Sequence, residues 1–190
     1  GRSGDERPGD KRSPTASTGA LISYALIDQT DPFVLIRSNG ELSAQRLNCA
    51  RLTALLDDLR TRQPALVKSV ARSIGSVVGR AIGKATPIQT AIGVYRELLM
   101  ASVAARGRGV GGLRRESKTG SRTDPRKLLD RLERALYETL LAPVVGRIND
   151  GSDLTIVPDD LLGVVPFEAL SAPDGRRFGE RFNVRYAPSA

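Results

Sequence analysis

The spacing of apolar positions changes several times along the chain, and each change marks an element. Residues 1–19 are Gly, Ser, Pro, Arg and Asp with no apolar period, so they read as a disordered linker or tail. Three apolar runs then predict a β-meander: Ala20–Ile27, Phe33–Ser38 and Glu41–Asn48. Asp31-Pro32 ends the first connection. Asn39-Gly40 makes the second a tight hairpin, because both residue types accept a positive φ. The period then becomes helical. Leu52, Leu55, Leu56 and Leu59 form one face of a helix over 49–62, with Asn48 at its N-cap. Val67, Val70, Ile74, Val77, Val78 and Ala81 keep that period on a second helix from Pro64 to Ile82. Thr86-Pro87-Ile88-Gln89 is a capping box with proline at the first helical position. It opens a third helix running to Ala104 on Ile88, Ile92, Tyr95 and Leu99. Asp124-Pro125 opens a fourth, where Leu128, Leu132, Leu136, Leu140 and Val144 recur every four residues and demand a buried face.

After Asn149-Asp150-Gly151 the pattern shortens. Leu154-Thr155-Ile156-Val157 is nearly all apolar and stops at Pro158, which predicts a strand covered on both faces. Leu161–Leu170 reads as a loop and short helix, Pro173-Asp174-Gly175 as a turn, and Phe182–Tyr186 as a second short strand. Two such strands do not finish an α/β sheet, so the rest of the sheet is expected beyond Ala190 or on another chain.

Composition narrows the chemistry. The 190 residues include no histidine and one cysteine, Cys49. That excludes a complete Cys–His or Ser–His pair within the chain, an internal disulfide framework and the usual zinc sites. No motif implies a cofactor. Aromatic residues are 4%, so the core must be mainly aliphatic. No uncharged apolar run reaches the roughly 18 residues of a membrane span, and the polar, basic start has no signal-peptide pattern. A cytoplasmic location is the expectation. Opening at Gly1 rather than Met, the chain reads as processed or as part of something longer.

The net charge of +8 sits in two places. Residues 105–127 carry +6 and residues 63–84 carry +4, so the remainder is slightly acidic. Gly107, Gly109 and Gly112 fit G-x-G-x-x-G, but a helix precedes them and a polar loop follows, the reverse of a dinucleotide-binding context. The loop 105–125 reads as long, exposed and mobile. No aromatic residue lies between Tyr95 and Tyr137 to stack a base, which disfavours nucleic acid as a partner. In residues 67–84, Gly75, Gly79 and Gly83 recur with Lys68, Arg72, Arg80 and Lys84, and a core-facing helix outweighs a membrane-surface one. Cys49 beside a helix N-terminus has the setting for a lowered thiol pKa, though simple burial accounts for it more economically. Asp159 and Asp160 follow a strand and are expected to cap the short helix after them.

Four stretches in order carry a resemblance. They are Leu-Tyr-Glu-Thr-Leu-Leu-Ala-Pro at 136–143, Leu-Thr-Ile-Val-Pro-Asp at 154–159, Val-Val-Pro-Phe-Glu-Ala-Leu at 164–170 and Tyr-Ala-Pro-Ser at 186–189. Their succession resembles the opening of the CHAT domain, a caspase-like, separase-related family. The preceding meander and helices are similar to that family in arrangement alone. The resemblance implies an α/β fold: an N-terminal meander and helices at 20–190 lead into the first strands of a caspase-like α/β/α sandwich, with the sheet incomplete in this chain. It implies a cysteine endopeptidase whose catalytic histidine and cysteine lie on later strands, past Ala190. One departure stands within the match: the family often has histidine before the Pro-Phe pair, where this chain has Gly163.

On that resemblance Pro158, Asp159, Pro166 and Phe167 would support the site from below, with Phe167 buried. Arg106, Arg108, Arg114, Arg115 and Arg122 would make the basic loop a processing site. The partners implied are the C-terminal catalytic half, in the same protein or a second chain, a protein substrate and an upstream helical-repeat sensor. Two rivals stand beside this reading: a non-catalytic CHAT-like scaffold or partner-binding module, and a nucleic-acid-binding module using 63–84 and 105–127.

Overall fold

The computed structural model describes residues 19–26, 32–77, 85–107 and 124–188. The expectations for residues 1–18, Ile27, Asp31, the second helix beyond Val77 and the basic loop at 108–123 fall outside that range. The meander forms as β1 (Ala20–Ala25), β2 (Phe33–Ser38) and β3 (Glu41–Arg46). At the hairpin tip Asn39 and Gly40 have φ of 53° and 83°, the doubly positive pair that lets a two-residue turn follow the strand twist.

Four helices follow: α1 (Ala50–Arg62), α2 (Pro64–Val77), α3 (Pro87–Gly107) and α4 (Pro125–Leu136). The capping box at α3 is made in full. Gln89 N–H donates to Thr86 Oγ1 at 3.1 Å, and Thr86 N–H donates to Gln89 Oε1 at 3.0 Å. Asp124 caps α4 by accepting from Arg126 N–H at 3.0 Å. At α1 the N-cap position falls on Cys49, one residue later than expected. Asn48 still accepts from Ala50 N–H at 3.0 Å.

The fourth helix departs from the plain α-helix that its apolar spacing predicts. Tyr137–Leu141 widens into a π-turn before a short α5 (Ala142–Val145). Ala142 N–H reaches back five residues to the Tyr137 carbonyl. The cause is Pro143, which has no N–H and whose ring would collide with the carbonyl four residues earlier.

The last two strands are β4 (Asp153–Val157) and β5 (Asn183–Tyr186). They do not stand alone. One five-stranded open sheet runs β3-β2-β1-β4-β5, with β1 parallel to β4 and β4 parallel to β5. The meander therefore supplies part of the sheet that the sequence pattern placed beyond Ala190 or on another chain. Strand pairing cannot be read from apolar spacing, since β1 and β4 are separated by the whole helical region. The outer edges of β3 and β5 have no strand neighbour among the described residues, so the α/β sheet is open as expected.

The two faces of the sheet differ. Ile22, Tyr24, Val34, Ile36, Leu154 and Ile156 are buried and join one core with Leu52, Leu56, Ile92, Tyr95, Leu132 and Leu140 of the helices. The opposite face carries Leu42, Arg37, Leu21, Thr155 and Arg185 across one row of the register. Leu35, Ser23 and Val157 lie in the next row. Leu42 is 70% exposed there, and Leu21 and Phe33 are 37% exposed. The described residues thus build two layers, with the helical layer on one face only. Leu42→Lys is expected to leave stability within about 0.5 kcal/mol of the parent while lowering binding of a hydrophobic dye. A large stability loss on urea unfolding would mean that this face is covered.

Candidate functional site

β1, β4 and β5 run parallel, so their carboxyl ends lie side by side, and open α/β sheets place sites at that end. Pro158 stops β4 there. Asp159 stands at the N-cap position of the following 3-10 turn (Asp160–Val164) but makes no side-chain cap. Its carboxylate accepts instead from Leu26 N–H, just past β1, at 2.9 Å. The expected capping role is thus replaced by a tie between two strand ends. The side chain of Asp160 is outside the described residues.

The Pro166-Phe167 pair lies over the same end. Pro166 is partly buried and Phe167 fully buried. The Phe167 ring stacks on Tyr24 of β1, with centroids 5.4 Å apart and planes at 23°. Tyr186 of β5 also approaches the ring, with centroids 6.3 Å apart. Tyr24 lies wholly inside, and its hydroxyl donates to the Leu140 carbonyl of the π-turn at 3.0 Å. Burial, followed by the nearby Tyr186, holds the Tyr24 phenol far above its ordinary pKa. Tyr24→Phe should cost about 1–2 kcal/mol, because a buried carbonyl loses its donor; urea unfolding of the two chains measures this, and no change would remove the bond from the account.

The Tyr186 hydroxyl makes two bonds. It accepts from Phe167 N–H at 3.0 Å and donates to the Glu168 carboxylate. Burial, then the bond to Glu168, raises its pKa well above the ordinary phenol value. A shallow groove of about 240 Å³ lies beside this bridge, lined by Gly163, Val164, Val165, Pro166, Glu168 and Tyr186. Gly163 is exposed, and a Cβ there would meet nothing within 4 Å, so the turn has room for a larger side chain.

Residues 130–190 match the CHAT domain. The matched segment takes in the end of α4, the π-turn, β4, the turns that follow and β5. It supports a caspase-like, peptidase-related family for this part of the chain. Among curated proteins nothing matches the chain significantly. β1 lies outside the matched segment; its Tyr24, and Leu26 just past it, contact Phe167 and Asp159, so contacts at this end of the sheet join the matched segment to the preceding one.

The other candidates do not converge here. Cys49 is partly buried at the start of α1, with its thiol 3.9 Å from the Leu47 carbonyl. Burial pushes its pKa up, the opposite of what a helix N-terminus would do to an activated thiol. Arg106 lies in the last turn of α3, and Arg108, Arg114, Arg115 and Arg122 fall outside the described residues. No three His, Cys, Asp or Glu side chains gather as a metal site among the described residues. No described helix is long and apolar enough to cross a membrane. Sequence reasoning missed Tyr24, Glu168 and the Tyr186 hydroxyl. The available signal was tyrosine, where phenylalanine would do, at an inward strand position, since a buried phenol needs a partner.

Proposed function

We propose that this chain is the amino-terminal part of a caspase-like cysteine endopeptidase whose catalytic histidine and cysteine follow Ala190. The observation carrying this reading is the CHAT match over residues 130–190 in a chain without histidine. A thiolate nucleophile needs a base and an oxyanion hole drawn from several strand ends. In this proposal β1, β4 and β5 supply the floor of such a site. Asp159 and Phe167 hold the floor together, and later strands bring the reacting groups beside β5. The substrate is a protein, and an upstream helical-repeat region acts as sensor.

Self-processing belongs to the same proposal. The segment from Arg106, in the last turn of α3, to Arg122 offers basic residues ahead of α4. Incubating the longer protein and sequencing new amino termini tests it. The expected result is cleavage after an arginine in 106–122. An intact segment in an enzyme that cleaves other substrates would contradict it.

One observation favours a second reading, a non-catalytic scaffold. The open sheet face offers Leu42, Leu21 and Phe33 to a partner whether or not catalysis occurs. The sequence past Ala190 separates the two readings. A histidine and a cysteine at successive strand ends support the peptidase, and their absence supports the scaffold.

A further inference from the structure

The 3-10 turn Phe167–Ala169 begins with a proline at its N-cap position, and Pro166 makes no side-chain cap. A short helical turn starts with N–H groups that have no partner inside it, and proline has no side-chain oxygen to accept from them. The Phe167 N–H finds its acceptor on another element, the Tyr186 hydroxyl at 3.0 Å. That hydroxyl passes its own proton towards the Glu168 carboxylate in the same turn. The register keeps Tyr186 in place: it pairs with Ile156 of β4, and Ala187 N–H donates to the Ile156 carbonyl at 2.9 Å.

We infer that Tyr186 is a positioning residue: its hydroxyl caps the Phe167–Ala169 turn from outside and fixes that turn to the carboxyl end of β5. The ring alone does not do this, because contact between rings at 6.3 Å and 49° leaves the turn free to slide. The two hydrogen bonds set both its depth and its direction. The consequence reaches β1 through the Phe167–Tyr24 stack, so one exposed tyrosine at the sheet edge aligns three parallel strand ends. The inference stands on this geometry. The peptidase reading only supplies a reason for holding that end still.

Amide hydrogen exchange on the 190-residue chain tests it. Tyr186→Phe keeps the ring and removes the hydroxyl. Exchange at Phe167 N–H should rise about fivefold to tenfold, as for loss of one hydrogen bond. Exchange at Ile22 and Ile156 should stay unchanged. Glu168→Ala provides a second reading that does not depend on the first variant folding. It removes the acceptor of the phenol proton but leaves the acceptor of Phe167 N–H. The Phe167 amide should therefore stay protected, while the Tyr186 phenol titrates at lower pH than in the parent. Unchanged Phe167 exchange in Tyr186→Phe overturns the inference. So does an equal rise at Ile22 and Ile156, which would show a purely global contribution. No catalysis enters either readout, so the outcome is independent of whether the longer protein is a peptidase.

Discussion

Phe167→Ala is expected to lower the stability of the chain by about 3–5 kcal/mol, the usual cost of removing a fully buried aromatic ring. Phe167 is inaccessible to solvent and its ring contacts both Tyr24 and Tyr186. Its neighbours cannot close the space. Tyr24 is held by its bond to the Leu140 carbonyl, and Tyr186 by its strand pairing. The cost should therefore lie toward the upper end of the range. A domain is typically stable by only about 5–15 kcal/mol, so this one truncation removes a large share. Urea unfolding followed by circular dichroism measures it. A loss below about 1 kcal/mol would mean that the aromatic stack is not the centre of this end of the core.

Gly179→Ala should cost about 1–3 kcal/mol through overpacking. Its Cβ would stand 2.9 Å from the Glu168 Cβ and 3.2 Å from the Glu168 carbonyl oxygen. Alanine usually gains about 0.4–1 kcal/mol over glycine by restricting the unfolded chain, where the native backbone suits both. Here the steric term wins, because two of the atoms in the way are near the backbone and cannot swing aside. The obstructed residue is also the acceptor for Tyr186. The variant should thus disturb the Phe167 and Glu168 amide resonances while leaving those of α1 in place. An increase in stability would show that the Phe178–Glu180 turn is free to move off Glu168.

Much of the fold was legible in the sequence. The tight hairpin followed from Asn39-Gly40, and the start of α3 from Thr86-Pro87-Ile88-Gln89. Each signal is local and self-sufficient: the turn needs positive φ, and the capping box satisfies two amides within four residues. What local pattern misses is pairing at long range. The parallel contact of Ile22 with Ile156 joins residues on either side of four helices. The π-turn was equally hidden, since leucines every four residues describe an α-helix until Pro143 forbids it. At the site, burial of Phe167 was expected and is observed. Asp159 before a turn reads as a local cap, the commonest use of aspartate there, and is drawn off by the Leu26 amide just past β1. The Tyr186 bridge needs both strand register and turn position, and neither is set by its own sequence neighbourhood.

The proposed nucleophile lies outside these 190 residues. The most direct measurement treats the longer protein with an arginine-bearing peptidyl acyloxymethyl ketone, which alkylates an activated thiolate, and maps the modified peptide by mass spectrometry. One labelled cysteine after Ala190 is expected, with Cys49 unmodified because its thiol is partly buried and its pKa is raised. Label on Cys49 alone, or no labelled cysteine past Ala190, would contradict it.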